Sequence, residues 1–149
     1  MGDSSGGTLS GVLTSILIEK KIFKPAGVVM VYPALNLNYK SYTPSLLSSL
    51  NDLILPHTYL KICLSCYLQD ENLKPESDPL ISPLFIKDST LQRFPKTKIF
   101  VGDIDAFHHD ALRFTERLKY HLSYIVLHNQ DMVDLQFMKN FLMDLSCLI

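Results

Sequence analysis

Between Gly7 and about Lys21, the residues Leu9, Val12, Leu13, Ile16 and Leu17 recur at helical spacing, and Glu19, Lys20 and Lys21 make the end of the run polar. The spacing predicts a helix with its apolar residues on one side. Pro25 and Gly27 then break the chain, and Val28-Val29-Met30-Val31-Tyr32 forms a continuous apolar run stopped by Pro33. A run of that length reads as a strand buried on both faces. From 34 to about 55 the pattern is irregular, with Asn, Ser, Tyr and Pro among leucines. Leu60 to Leu68 predicts a helix entered after Pro56 and left near Gln69, and residues 70–83 read as loop because Pro75, Pro79 and Pro83 fall among acids and serines. Clear periodicity returns after Pro95. Lys98-Ile99-Phe100-Val101-Gly102 predicts a strand, Phe107, Ala111, Phe114 and Leu118 a helix face, and Tyr124-Ile125-Val126-Leu127 another strand. Leu135, Met138, Phe141, Leu142, Leu145 and Leu148 mark a final amphipathic helix. Strands alternating with helices predict an α/β fold with about three parallel strands, at 28–32, 98–102 and 124–128.

Ahead of the first helix stands Gly2-Asp3-Ser4-Ser5-Gly6-Gly7. Gly-x-Ser-x-Gly is the pattern of a nucleophile elbow, where a strand turns sharply into a helix with the serine at the apex. Ser4 is in register with Gly2 and Gly6; Ser5 is not. In such a turn the Ser5 backbone N–H points to where an acyl oxyanion forms, and the helix adds its positive end. On the motif alone, a slack Gly/Ser-rich start competes with this reading. A trypsin-like reading fails, since that class places its histidine and aspartate before the serine. Late in the chain, Asp103 and Asp105 follow the strand ending at Gly102, at the sheet edge where catalytic groups gather in parallel folds. An ordinary loop aspartate is the competing reading for Asp105.

Composition narrows the field. A chain of 149 residues with 47% hydrophobic and 19% charged residues suits one globular domain, here 1–149, rather than a disordered segment. The net charge of −1, without a basic cluster, predicts neither nucleic-acid nor anionic-membrane binding. No apolar run is long enough for a transmembrane segment. An odd count of three cysteines favours free thiols in a reducing compartment, hence a cytoplasmic location. Cys63-x-x-Cys66 is a lone pair with no second ligand pair, so it reads as two small apolar residues one turn apart on a packed helix rather than as a metal or redox site.

Several longer stretches carry a resemblance. Gly-Asp-Ser-Ser-Gly-Gly at 2–7, Tyr32-Pro33-Ala34, Thr43-Pro44-Ser45-Leu46-Leu47-Ser48, Asp52-Leu53-Ile54-Leu55-Pro56, Asp78-Pro79-Leu80-Ile81-Ser82-Pro83-Leu84, Val101-Gly102-Asp103-Ile104-Asp105 and Asp110-Ala111-Leu112-Arg113-Phe114 together resemble the C-terminal part of the hormone-sensitive-lipase group of α/β-hydrolases. The resemblance implies the C-terminal half of an α/β-hydrolase sheet with its first strands missing, and a cap-like insertion at about 35–90. A plain surface loop is the competing reading for the Pro-rich part of that insertion. It also implies a carboxylic ester hydrolase acting on an ester or lipid through an acyl-enzyme, with Ser4 as nucleophile and Asp105 as the carboxylate that orients a histidine. The order serine, acid, histidine agrees with that class. No metal or organic cofactor is implied, because serine acyl transfer needs none.

Two departures follow from the same comparison. Asp134 occupies the place of the family's histidine. An aspartate ordinarily titrates near pH ~3.9 against ~6.5 for histidine, and beside Asp105 it would meet a like charge, so it makes a poor general base for Ser4. Among the other histidines, His128 is the best placed substitute; His108 and His109 begin a helix, and His57 and His121 read as structural or exposed. The second departure is the front of the fold. The strand carrying Ser4 is expected to be reduced to Met1, the Gly-rich oxyanion loop is missing, and the 28–32 strand is expected to expose an apolar edge open to pairing with another chain. Three functions therefore compete: an esterase impaired in this chain, a non-catalytic partner- or lipid-binding module, and an esterase completed by a partner.

Overall fold

The computed structural model describes residues 1–38, 40–50, 52, 55–70 and 72–118, together with the backbone of a strand at 122–127. A parallel sheet in chain order organises them: β1 (Gly2–Asp3), β2 (Gly27–Val31), β3 (Lys96–Gly102) and β4 (Leu122–Leu127). The helices are α1 (Ser5–Glu19), α2 (Pro44–Ser48), α3 (His57–Tyr67), α4 (Asp88–Leu91) and α5 (His108–Leu118), with a 3₁₀ turn at Pro83–Phe85. The three apolar runs thus form the three long strands, each beginning slightly earlier than the pattern indicated. The expected final helix after residue 134 lies outside the described residues.

The strand in front of Ser4 differs from expectation. It is Gly2–Asp3 rather than Met1 alone, and it pairs Gly2 with Met30 and Asp3 with Val31. The carboxyl end of β2 is therefore covered by backbone partners, while Gly27–Val29 has no β1 partner. On its other side β2 pairs with β3 along its whole length, from Gly27–Lys96 to Val31–Phe100.

Helix α1 buries a different side from the one its leucines mark. Gly7, Thr8, Gly11, Val12, Ser15 and Ile18 face the protein, whereas Leu9 and Leu13 are 63% and 57% exposed. Close approach explains this. A Cβ on Gly11 would lie 3.3 Å from Met30 Cε, so only small residues let the helix sit against β2. The main core then forms between Met30, Ile99 and Val101 of the sheet and Phe94, Ala111 and Phe114 from the α4–α5 side. Phe94 and Phe114 meet edge to face at 6.3 Å, a geometry worth about 0.5–1.5 kcal/mol beyond burial alone. Arg117 ties α5 to the segment before β3, donating to the Leu84 carbonyl, to the Ile86 carbonyl and, at 2.8 Å, to Asp88 Oδ1.

Candidate active site at the carboxyl edge of the sheet

Ser4 stands between β1 and α1 with φ 49° and ψ −120°. A non-glycine residue in that region carries about 1–3 kcal/mol of strain and persists only where its surroundings enforce it. Here the Ser4 N–H donates to the Val31 carbonyl at 2.9 Å, and the Ser4 carbonyl accepts from Thr8 N–H at 3.1 Å. The glycines make room. A Cβ on Gly2 would fall 2.2 Å from the Gly6 carbonyl oxygen, and one on Gly7 2.9 Å from Pro33 Cβ. The opening hexapeptide is thus a taut strand–turn–helix, not a slack start. Ser5 opens α1, so its N–H is one of the first-turn donors that no residue of the helix itself can accept.

Asp105 follows β3 on the same edge and is 3% exposed. Its Oδ1 accepts from Phe107 N–H at 2.8 Å, and its carbonyl from His108 N–H at 3.1 Å. Ser45 braces the loop. Its hydroxyl donates to the Ala106 carbonyl at 2.9 Å and accepts from His109 N–H at 3.2 Å. Tyr32, at the end of β2, lies between the strands that carry Ser4 and Asp105. Burial pushes its phenol above the ordinary value, and the charges of Asp3 and Asp105 push it further in the same direction. Its backbone is also left-handed, at φ 36°. Sequence patterning marks Tyr32 only as the last residue of an apolar run; its place beside both carboxylates follows from the parallel register.

Ser82 fixes the loop after β2. Fully buried, it donates to the Pro75 carbonyl at 2.6 Å and accepts from Leu37 N–H at 3.0 Å. Thr8 Oγ1 donates to the Ala34 carbonyl at 2.6 Å from the other side. Asn36 Nδ2 reaches Asp110 Oδ1 at 3.3 Å and so joins this loop to α5. Burial raises the Asp110 carboxyl above its ordinary value, with Asn36, Arg113 and His109 acting in the opposite direction.

Ser4 opens on a cavity of about 510 Å³ walled by Leu9, Leu37, Tyr59, Cys63, Tyr67 and Phe107 among others. Tyr59, Cys63 and Tyr67 lie on α3 at successive turns, and the hydrogen bond to Cys63 raises the Tyr59 phenol. Helix α3 rests through Leu60, Leu64 and Leu68 on a small apolar cluster that includes Leu37 and Phe107. This corrects the reading of the cysteines as packed: Cys63 and Cys66 are both exposed, because the helix packs through its half-buried leucines. The spacing 59, 63, 67 was the available signal for the cavity wall.

Ser4, Ser5 and Asp105 are therefore brought to one edge. Asp134, His128 and His121 lie outside the described residues. His57 stacks at a tilt on Tyr42, 5.8 Å away, and His108 Nδ1 lies 3.0 Å from the Gly102 carbonyl. Among the described residues, no helix is long and apolar enough to cross a membrane.

Comparison with known proteins agrees with this architecture. Residues 1–136 match the family model described as the alpha/beta hydrolase fold. An esterase from Acinetobacter venetianus is 30% identical over 116 residues, covering 78% of this chain and 36% of that protein. The crystal structure of carboxyl esterase 2 from the fungus Tuber melanosporum superposes with a TM-score of 0.77 at 25% identity, over 87% of this chain and 42% of the other. A fungal esterase from Rhizomucor miehei shares the fold at TM-score 0.76 and 18% identity, over 88% and 41%. The chain thus spans about two-fifths of the length of these relatives. It belongs to the alpha/beta hydrolase fold family, in its hormone-sensitive-lipase group.

Proposed function

We propose that this chain carries the nucleophile and the acid of a serine carboxylic ester hydrolase. The carrying observation is the strained Ser4 backbone, held at a strand–helix turn and open to an apolar cavity. In this reading Ser4 Oγ attacks the ester carbonyl while a base takes its proton, and the alcohol leaves as the tetrahedral intermediate collapses to an acyl-enzyme. Ser5 N–H and the amino end of α1 stabilise the oxyanion. Asp105 orients the base, held by Phe107 N–H and the Ser45 brace. The segment at about 35–90 serves as a cap in which α3 forms the wall over the cavity, so the substrate is an ester with an apolar acyl or alcohol group.

The base is the weak component. With Asp134 in the family's histidine position, proton transfer from Ser4 is slow and the chain turns over poorly. That substitution equally favours a second reading, a non-catalytic module that binds a lipid or partner in the same cavity.

A fluorophosphonate probe and a short-chain p-nitrophenyl ester separate the two. The hydrolase reading expects covalent labelling and slow hydrolysis, both lost in Ser4→Ala, and a faster rate in Asp134→His. A folded chain that neither labels nor hydrolyses, before or after Asp134→His, overturns it and leaves the binding module.

A further inference from the structure

Far from Ser4, at the amino edge of the sheet, α1 ends in a way that pushes two bulky apolar side chains into solvent. Lys21 adopts φ 55°, its N–H donating to the Ile18 carbonyl at 3.2 Å, while Ile22 N–H donates to the Leu17 carbonyl at 3.0 Å. This is a Schellman ending, usually built on glycine. It leaves Ile22 66% and Phe23 62% exposed.

The fold surrounds that pair with positive charge. Lys20, Lys21 and Lys24 are exposed beside it in sequence. From the segment between α4 and β3, Arg93 lines the same groove of about 460 Å³ as Lys21, Ile22, Phe23 and Lys24, and Lys96 pairs in register with Gly27. Across 19–27 and 88–96 the carboxylates are Glu19, which accepts from Thr90 Oγ1 at 2.9 Å, and Asp88, which pairs with Arg117 at 2.8 Å. The chain's net charge of −1 conceals this gathering, because the cations come from two distant stretches.

We infer that this face docks on an anionic lipid surface. Two apolar tips ringed by cations can enter the acyl boundary while the charged ends stay among the headgroups. Four of the five cations are lysines, flexible point charges suited to a diffuse layer of phosphates and carboxylates rather than to the fixed fork of one partner's acid. The face lies away from the Ser4 cavity, so docking leaves that opening free. The inference is independent of any activity at Ser4.

Co-sedimentation of the full chain with lipid vesicles tests it. Binding is expected to phosphatidylcholine vesicles containing about one-third phosphatidylserine, and to fall with added salt; pure phosphatidylcholine is expected to bind far less. Each Lys→Gln change at 20, 21 or 24 weakens binding about fivefold, and Phe23→Ser roughly tenfold. Leu13→Ser, which removes a comparably exposed leucine from the body of α1, leaves binding unchanged. Circular dichroism verifies that each variant is folded. Equal binding to both vesicle types, no binding, or an equal loss in Leu13→Ser would overturn the inference. So would retention on a polyglutamate matrix by a chain that ignores vesicles, which indicates an acidic protein partner instead.

Discussion

Replacing each glycine of the opening turn by alanine should give three different outcomes, although the sequence pattern treats two of them alike. A Cβ on Gly2 would lie 2.2 Å from the Gly6 carbonyl oxygen and 2.3 Å from its carbon. Against an ordinary contact of about 3.5 Å, that overlap exceeds roughly 1 Å, and both atoms are backbone of the first turn of α1. Relief requires moving β1 away from α1, at the expense of the Ser4–Val31 hydrogen bond. Gly2→Ala should therefore cost about 3 kcal/mol or more, at or beyond the upper end of overpacking penalties. In Gly7→Ala the new methyl meets Pro33 Cβ at 2.9 Å and Cα at 3.2 Å, which a rigid ring cannot yield, for a cost of about 1–3 kcal/mol. Gly6→Ala meets only Asp3 Oδ1, at 3.9 Å, on helical backbone. It should stabilise by up to about 1 kcal/mol through helix propensity. Urea denaturation followed by far-ultraviolet circular dichroism ranks the three. If Gly6→Ala falls together with Gly2→Ala, or if Gly2→Ala matches the parent, the turn does not have the geometry described.

Three further outcomes follow from individual contacts. Lys21→Gly should stabilise the chain by about 1 kcal/mol, because glycine fills the left-handed position without the Cβ penalty; thermal denaturation should show a rise of about 3 °C. Ser82→Ala should destabilise by about 1–3 kcal/mol, since it strands the buried Leu37 N–H, and urea midpoints measure this. Asp110→Asn should flatten part of the pH profile. The buried carboxyl titrates above its ordinary 3.8, so the folded state holds its proton longer. The stability of the parent relative to the variant then falls as pH rises from 3.8 to the raised value and stays lower above it. Parallel parent and variant curves across that window would refute the assignment.

Much of this fold could be read from the chain, for identifiable reasons. The runs at 28–32 and 98–102 are rich in apolar residues because strands in the middle of a sheet packed by helices leave few positions for polar ones, Lys98 being the exception. The strained turn at Ser4 was legible because the pattern sets Gly2 and Gly6 about it, although steric need falls on Gly2 and not on Gly6; Asp105 was marked as a candidate by the resemblance. The buried side of α1 was not legible, since hydrophobicity marks Leu9 and Leu13 while close approach selects Gly7, Gly11 and Ser15. A helix packed that tightly writes its contact face in residue size rather than polarity. The cavity wall on α3 escaped for a related reason. Tyr59, Cys63 and Tyr67 resemble core residues until half-buried Leu60, Leu64 and Leu68 are seen to make the packing contact. The lysine-ringed pair at Ile22 and Phe23 needed Arg93 and Lys96 brought alongside, which only the β2–β3 register supplies.

That register also governs the order in which the molecule can be assembled during synthesis. The β3–β4 pairing, from Thr97–Leu122 onward, closes over a short crossover through α5, whereas β2 must wait for Lys96–Phe100, nearly half the chain later. Closing a long loop incurs entropy before its contacts are rewarded, and pairing of this kind is slow. A nascent chain therefore leaves the ribosome with the β3 side of Val28–Val31 unpaired through the whole interval in which residues 32–95 are made, its other side meeting β1 at Met30 and Val31 alone. For that period α1 and β1, already made, are the cover at hand, and the strand edge turned away from them is open to wrong pairing.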